Sequence, residues 1–225
     1  MPPINIISES PALVVVDKPV GFLSVPSRMT FSEQNRDERP VVGLLLEKQL
    51  GTRLFPVHRL DVEVSGLLLF AKTAPAHRLL SMAFENNQAQ KTYEALSSSN
   101  HFVELGRPHI FENKLLRGKK RAYESPLGKT AITRALATQK LSYRDQECVA
   151  WKLEPVTGRS HQLRFHLAQA GFPILGDKLY GSKDEGPEGG GIALRAVALN
   201  LSELPVTERD ALDIPLSFEL PALWM

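Results

Sequence analysis

Short apolar runs separated by polar turns dominate the pattern of hydrophobic positions along the chain. The run 12–16 is short and rich in valine, which predicts a strand, and a Pro-Val-Gly turn follows at 19–21. The polar stretch 28–40 and the glycine-rich stretch 182–191 are predicted to be loops. Other apolar runs of similar length predict strands over 67–71, 92–96, 131–137, 149–156 and 193–201.

Helical segments are fewer than strands and are predicted over 41–49, 74–87 and 160–170. Thr73 and Ser160 stand where a hydroxyl can cap the first turn of the second and third helices. The strands do not alternate regularly with the helices. This order favours an α+β fold with mostly antiparallel mixed sheets flanked by helices over a βαβ repeat.

The composition is typical of a globular protein, with 225 residues of which 43% are hydrophobic and 23% charged. Because no long polar spacer divides the chain, we expect one domain over residues 1–225, built of two lobes. Cys148 is the single cysteine, so no internal disulfide can form, and its apolar neighbours predict a buried thiol. The N-terminus lacks a signal-peptide pattern and no apolar stretch reaches about 18 residues. We therefore expect a cytoplasmic protein without a membrane segment.

Basic residues are concentrated in one short stretch, although the formal net charge is only +2. Such a concentration of cations can neutralise the phosphates of a nucleic acid. From the charges alone, however, a solvated surface loop is the better interpretation. The basic residues of this stretch are Lys114, Arg117, Lys119, Lys120 and Arg121, with Lys129 and Arg134 soon after.

Two polar segments carry candidate chemistry. His58-Arg59-Leu60-Asp61 places a carboxylate beside a guanidinium, and from this tetrapeptide alone a pair that closes a turn is the preferred interpretation. The stretch 158–166 opens a predicted helix with many hydrogen-bond donors, among them Arg164 just past the first turn. A buried arginine needs a carboxylate partner, and Asp61 is a candidate.

These segments also resemble a known family. His58-Arg59-Leu60-Asp61, followed by Ser65-Gly66 and an apolar run, strongly resembles the catalytic motif of the RluA-type pseudouridine synthases. The other similar segments occur in the same order as in the family, and together they make the resemblance specific. They are residues 16–26, residues 91–93 with the family's tyrosine, residues 158–164, residues 171–177 and Tyr180-Gly181.

The resemblance implies a pseudouridine synthase fold, with two lobes around a central catalytic cleft. It also implies an enzyme that isomerises uridine in ribosomal RNA, transfer RNA or both. The bond from C1′ of the ribose to N1 of uracil breaks, and the base turns and is rejoined through C5. Asp61 is the implied essential residue, which either attacks C1′ or removes a proton from the sugar. Both roles need an ionised carboxylate.

Family-implied roles also fall on other residues. Arg164 would orient the Asp61 carboxylate, and Tyr93 would stack on the target base, although a core aromatic is the better interpretation of Tyr93 from spacing alone. Leu163 would line the pocket, with helix core as its alternative. Because the uridine must be extruded from folded RNA, Arg59 would fill the gap that is left. The remaining RNA contacts are expected from His58, Arg159, Lys119, Lys120 and Arg121.

The chain departs from the family pattern at Val64, where a threonine usually precedes the Ser-Gly turn, so a hydroxyl near Asp61 is missing. The amino-terminal RNA-binding domain of many relatives is also expected to be absent. Structured RNA such as a stem-loop is the expected partner, and a monomer without an obligate protein partner is expected.

No cofactor and no metal are expected, because the reaction is an isomerisation without a redox step. His161 and His166 are five residues apart, whereas two ligands on one helical face are usually four apart.

Two other functions fit parts of the sequence. A catalytically inactive RNA-binding protein of the same fold is favoured only by Val64. A glycosidase would use Asp61 with Glu63 or Asp177 as a second acid. Asp177 lies in a turn bounded by glycine, and a hydrolase would release the free base whereas a synthase conserves mass.

Overall fold

A computed structural model describes residues 3–26, 38–98 and 102–224, so that most of the predicted loop at 28–40 lies outside the described residues. The helices are α1 (Val42–Leu50), α2 (Ala74–Glu85), α3 (Gln162–Gln169) and α4 (Val206–Ala211), with a 3₁₀ turn at Lys178–Tyr180. The strands are β1 (Asn5–Glu9), β2 (Leu13–Lys18), β3 (Phe55–Pro56), β4 (Ser65–Ala71), β5 (Gln90–Ser98), β6 (Pro108–Arg117), β7 (Ala122–Glu124), β8 (Lys129–Tyr143), β9 (Gln146–Pro155), β10 (Leu194–Asn200) and β11 (Ser217–Glu219).

The chain divides into two compact units. The first unit contains residues 1–89 and 198–220, and the second contains residues 90–197 and 221–225. Strand β10 contributes residues to both. Among the described residues, no helix combines the length and the apolar character needed to cross a membrane.

The first unit is built on β2 and β4, which pair antiparallel from Leu13 opposite Ala71 to Lys18 opposite Gly66. Strand β1 pairs with β2, β3 with β4, and β11 with β10, all antiparallel. Residues 13–16 are all fully buried. Their continuous apolar run therefore reflects a strand that is covered on both faces. Helix α2 packs against β4.

The second unit contains antiparallel strands in the order β5-β9-β8-β6-β7, with β7 at the edge. Strand β8 alternates as a half-buried strand should, with Ala131 and Thr133 buried and Thr130 and Arg134 exposed. Helix α3 packs against β7, β8 and β9. The buried face of this sheet is therefore where the polar helix of the second candidate segment lies.

The α+β class and each predicted strand and helix are confirmed, with shifted ends. Gly51 follows α1 in the left-handed conformation, with φ of 66°, which a residue without a side chain adopts at low cost. Thr73 caps α2 by accepting a hydrogen bond from the N–H of Ala76 at 3.4 Å. Cys148 is buried in β9, and desolvation raises the pKa of its thiol.

Two predictions of local structure are wrong. Ser160 does not cap α3; the N-cap is His161, in the left-handed conformation with φ of 54° and without a side-chain capping bond. The basic stretch is not simply a loop, because Lys114 and Arg117 lie in β6 and only residues 118–121 form the turn to β7. Strand β6 exposes Ile110 and has the polar His109 and Asn113 on its half-buried face, so its hydrophobic alternation is weak in the sequence.

Candidate active site

Asp61 begins a tight turn that leads into β4. The N–H of Val64 donates to the carbonyl of Asp61 at 3.1 Å, and the Asp61 residue is half-buried. The buried hydroxyl of Ser24 donates to the carbonyl of Leu60 at 2.9 Å and accepts from the N–H of Leu60 at 3.0 Å. Both polar groups of the residue before Asp61 are therefore fixed by one side chain.

A buried lysine supports the same turn from the end of β2. The Nζ of Lys18 donates to the carbonyls of Pro19, Phe22 and Val62 at 2.8, 2.9 and 3.4 Å. Desolvation lowers the pKa of Lys18 to about 8, although the negative charges of Glu63, Asp61 and Asp17 oppose this shift. Three carbonyls thus satisfy the three donors of an ammonium, which ties the end of β2 to the turn that carries Asp61.

The two residues before Leu60 have different surroundings. His58 accepts a hydrogen bond from the N–H of Leu69 at Nε2, at 3.1 Å, and its ring stacks on Phe84 with centroids 4.5 Å apart. Arg59 is exposed. The structure therefore gives His58 a role in anchoring the segment, while its predicted RNA contact and that of Arg59 stay predictions.

Val64, the departure from the family pattern, is 3% exposed within the first unit. Its side chain is part of an apolar core that also contains Leu60 and Leu67. A threonine hydroxyl at this position would need a hydrogen-bond partner inside that core. The departure from the family pattern therefore falls at a buried position, three residues after Asp61.

Arg164 lies on α3, and the carboxylate that binds its side chain belongs to Asp177. Its Nε and Nη2 donate to Oδ2 and Oδ1 of Asp177 at 2.7 and 2.8 Å. The two side chains are only 2% and 1% exposed. This is the two-point geometry that fixes a guanidinium in its plane. The predicted pairing of Arg164 with Asp61 stays a prediction.

Tyr180 lies next to this pair, on the 3₁₀ turn that follows Asp177. Its ring is 5.4 Å from the Arg164 guanidinium carbon, and its hydroxyl is 3.2 Å from Nδ1 of His161. The same hydroxyl accepts from the N–H of Ala122 at 2.8 Å and contacts the carbonyl of Ala122 at 3.2 Å. A guanidinium above an aromatic face is a favourable arrangement.

Other polar residues of the second candidate segment are engaged inside the unit. The side-chain oxygen Oε1 of Gln162 accepts from the Thr157 hydroxyl at 2.7 Å and from the N–H of Arg159 at 3.0 Å. Its amide donates to the carbonyl of Ile132 and to Thr133 Oγ1, both at 2.9 Å. Gln162 therefore joins α3, the loop before it and β8 through a satisfied buried network.

His166 is also part of the core. It is 1% exposed, and its Nδ1 lies 2.9 Å from Thr133 Oγ1, while Nε2 has no partner among the described residues. Desolvation lowers the pKa of His166 to about 4, although the negative charge of Glu124 opposes this shift. The ring is therefore neutral at pH 7.

Tyr93 and Leu163 occupy different environments within the second unit. Tyr93 lies on β5 opposite Leu153 and is half-buried. Leu163 is 7% exposed on α3. Their predicted contacts with the base stay predictions, since the burial is consistent with a pocket wall and with a core.

The structure brings two basic segments together that are distant in the sequence. Lys119, Lys120 and Arg121 are exposed in the β6–β7 turn, which the N–H of Gly118 closes on the carbonyl of Arg121 at 2.9 Å. Arg117 Nη1, just before this turn, donates to Ser160 Oγ at 3.3 Å, and the exposed Arg159 donates from Nε to the carbonyl of Thr130 at 3.0 Å. Side chains predicted to contact RNA from separate motifs therefore lie around one hairpin.

The sequence did not indicate the contacts of four residues that shape these sites: Lys18, Ser24, Tyr180 and Asp177, of which Asp177 was considered only as the second acid of a glycosidase. All four fall in segments that resemble the family, so their place in the sequence was noticed but their contacts were not. A lysine two residues after an apolar run, and an acid three residues before a tyrosine, are the signals that could have indicated Lys18, Asp177 and Tyr180.

The sequence profile of the RNA pseudouridylate synthases matches residues 12–169. The dual-specificity RNA pseudouridine synthase RluA of Haemophilus influenzae is 35% identical over 184 residues, which are 80% of this chain and 78% of the relative. The protein of the same name from Yersinia pestis is 34% identical over 215 residues, 93% of this chain and 95% of the relative. The tRNA pseudouridine synthase C of Salmonella typhimurium is 33% identical over 214 residues, 91% of this chain and 80% of the relative.

Solved structures support the fold independently. Human RNA pseudouridylate synthase domain containing 1 superposes with a TM-score of 0.72 at 21% identity, covering 89% of this chain and 81% of the human chain. Human RNA pseudouridylate synthase domain containing 4 superposes with a TM-score of 0.65 at 20% identity, with 94% of both chains covered. On the sequence matches, which include the Asp61 turn and α3, this chain belongs to the RluA-type family of RNA pseudouridine synthases.

Proposed function

We propose that this protein isomerises specific uridines of transfer RNA or ribosomal RNA to pseudouridine, with Asp61 as the catalytic residue. The observation that carries the proposal is the Asp61 turn. A half-buried carboxylate stands on a backbone that Ser24 and Lys18 fix, inside the segment that matches the family. Attack on C1′ and removal of a sugar proton both require a carboxylate with a defined position.

Arg164 would orient the reacting groups. Its buried two-point contact with Asp177 leaves the guanidinium little freedom, because both side chains are held in one plane. A group fixed in advance costs no reorganisation when the reaction occurs. Tyr93 would stack on the target base, and Leu163 would form an apolar wall of the pocket.

The target uridine would leave the RNA stack before the reaction. Extrusion costs a few kcal/mol in a base-paired region, and a group that fills the vacated position offsets part of that cost. Arg59 is suited to this because its exposed planar guanidinium can stack and donate hydrogen bonds. His58, Arg159 and the basic turn at Lys119, Lys120 and Arg121 would contact the remaining RNA.

The names of the relatives support the choice of substrate. The Salmonella relative is named a tRNA pseudouridine synthase and the Haemophilus relative a dual-specificity RNA pseudouridine synthase. We place the protein in the cytoplasm, as a monomer without an obligate protein partner. The two units would act as one catalytic domain, since the family match begins in the first unit and ends in the second.

The test is tritium release from transcripts labelled at C5 of uridine, because C5 loses its hydrogen when the base is rejoined there. Transfer RNA and ribosomal RNA transcripts are incubated with the wild type, Asp61→Asn and Asp213→Asn. Asp213 is an exposed acid of the first unit with φ of 50°, a conformation that asparagine tolerates, so it is a matched control.

We expect release by the wild type and by Asp213→Asn, and a loss of at least about 100-fold with Asp61→Asn. The RNA is then digested and the masses of its nucleosides are measured by mass spectrometry, since isomerisation conserves mass whereas a hydrolase would release free uracil. No release from either RNA class by the wild type would contradict the proposal. Free uracil among the products would show that the protein is a hydrolase instead.

A further inference from the structure

Tyr180 connects two parts of the second unit that have different tasks in the proposed reaction. Its ring faces the Arg164 guanidinium at 5.4 Å, and Arg164 is fixed by Asp177. Its hydroxyl contacts both main-chain polar groups of Ala122, at 2.8 and 3.2 Å. One half-buried side chain therefore spans from the family arginine to the strand that follows the basic turn.

The Tyr180 hydroxyl binds the main chain of an edge strand. Ala122 lies on β7, the edge strand of the second unit, and it is 3% exposed. A buried residue at the edge of a sheet needs partners for the N–H and carbonyl groups that do not bond to the neighbouring strand. The Tyr180 hydroxyl supplies them by accepting from the N–H and donating to the carbonyl. Its second lone pair then accepts from His161 when Nδ1 of that ring carries the proton, at 3.2 Å.

Ala122 is also the end of the basic turn. It directly follows Arg121 and pairs with Arg117 across the hairpin. Arg117 in turn donates to Ser160, the residue before His161. The exposed cations around this hairpin, which we call the basic surface, are thus attached to the start of α3 at two points. The basic surface consists of Arg117, Lys119, Lys120, Arg121 and Arg159.

We propose that Tyr180 is a positioning residue, which holds the basic surface at a fixed place relative to Arg164 so that RNA bound there by its phosphates is presented to the active site. This rests on the proposed function. The hydroxyl would strengthen RNA binding, because it holds the β6–β7 turn in place. The ring would act on the chemical step, because it faces Arg164.

Two substitutions separate the two ends of the side chain. Tyr180→Phe removes the hydroxyl and keeps the ring, so we expect RNA binding about tenfold weaker and a single-turnover rate at saturating RNA within about twofold of wild type. Tyr180→Leu removes the aromatic face as well, so we expect the single-turnover rate to fall by about tenfold in addition. Thermal unfolding of each variant shows whether the fold is retained.

A double-mutant cycle tests the coupling. The turn variant Lys119→Ala/Lys120→Ala/Arg121→Ala should weaken RNA binding by about 10- to 100-fold and reduce its salt dependence. If Tyr180 acts by holding the turn, adding Tyr180→Phe to the turn variant weakens binding no further. Tyr143→Phe, which removes the hydroxyl of another half-buried tyrosine of the same unit, should bind RNA as the wild type does.

Two results would overturn the inference: RNA binding by Tyr180→Phe equal to that of the wild type, or losses that multiply in the combined variant. The binding measurements do not depend on turnover. If the wild type released no tritium and the cycle were still non-additive, the proposed reaction would fail while the attachment of the basic surface stood. If the wild type were active and the cycle were additive, the Tyr180 inference would be contradicted while the proposed reaction stood.

Discussion

Asp61 in the first unit and Arg164 in the second are held in place by different means. The contacts described around Asp61 fix its main chain, since Ser24 binds both polar groups of Leu60 and Lys18 reaches the carbonyl of Val62. Arg164 is fixed through its side chain, by two short hydrogen bonds to Asp177. The carboxylate therefore stands on a rigid turn, whereas the guanidinium is itself part of a buried pair.

This difference predicts unequal sensitivity to substitution. Removing one member of a buried ion pair leaves a charge without compensation, which costs more than losing a hydrogen bond to the main chain. The second unit should therefore lose stability when its site is disturbed, while the first unit should lose mainly the geometry of its turn.

The largest effect is expected for Asp177→Ala, which leaves the buried guanidinium of Arg164 without its carboxylate. The free energy of unfolding should fall by about 3–5 kcal/mol, with loss of tritium release. Urea unfolding measures the first and the labelled RNA assay the second. The control is Glu104→Ala, which breaks an exposed pair with Arg107 and should cost less than about 1 kcal/mol. If the two substitutions lowered the free energy of unfolding equally, the buried pair would be no more important for stability than the exposed one.

Lys18→Met should be less destabilising but should still affect catalysis. It removes the Lys18 donor from the carbonyls of Pro19 and Phe22, while the Val62 carbonyl keeps the N–H of Gly21 at 2.8 Å. We therefore expect about 2 kcal/mol of lost stability and about a tenfold slower single-turnover rate. Lys18→Arg, which keeps the charge and the donors, should recover part of the rate. A Lys18→Met enzyme with the wild-type rate would show that the turn does not need this support.

The pH dependence of Lys18 follows from its lowered pKa, about 8 in the folded protein against 10.5 for an unperturbed lysine. Between these values the unfolded chain binds more protons, so the wild type gains stability as the pH rises from about 8 to 10. The difference in unfolding free energy between the wild type and Lys18→Met should therefore grow over this range. If the difference in unfolding free energy did not change with pH, the lowered pKa of Lys18 would be contradicted.

His166 makes the complementary prediction for the second unit, on the acid side. Its pKa is lowered to about 4 from 6.5, so its contribution is present above pH 6.5 and is lost as the pH falls towards 4. The unfolding free energy of the wild type should fall by about 2–3 kcal/mol relative to that of His166→Asn. This variant keeps an acceptor near Thr133 and does not titrate. Urea unfolding of both proteins at pH 7, 5.5 and 4.5 measures it. Parallel profiles would mean that the buried ring does not resist protonation.

Val64→Thr should have the smallest effect, although it restores the residue usual in the family. The hydroxyl would enter a core in which Val64 is 3% exposed, so we expect about 1 kcal/mol of lost stability and a tritium-release rate within about threefold of wild type. A rate increase well above this range would show that the missing hydroxyl limits the chemistry of Asp61.

The strands and helices could be predicted from the sequence where one face or both faces of an element are buried. The run 13–16 and helix α2 show this, since burial and capping are local signals. Strand β6 was missed because Ile110 is on its exposed face and polar residues are on its half-buried face. The start of α3 was misplaced because His161 adopts a left-handed conformation that no local pattern indicates.

The candidate site was predictable only in part. The resemblance identified Asp61 and Arg164 by position, but the partner of Arg164 in the second unit, Asp177, lies 13 residues away and is brought there by the glycine-bounded turn after α3. Ser24 and Lys18 were missed because they act through main-chain carbonyls. Any residue has such a carbonyl, so nothing in the sequence marks the partner.

The burial of Cys148 has a practical consequence for measuring these effects. The chain has a single thiol, which is fully buried and whose raised pKa keeps it in the unreactive protonated form. A cysteine introduced at the exposed Lys120 would thus be the one site that a maleimide dye modifies readily in the folded protein. The β6–β7 turn can be labelled without first removing a native cysteine, so its docking onto RNA can be followed by fluorescence in an otherwise natural background.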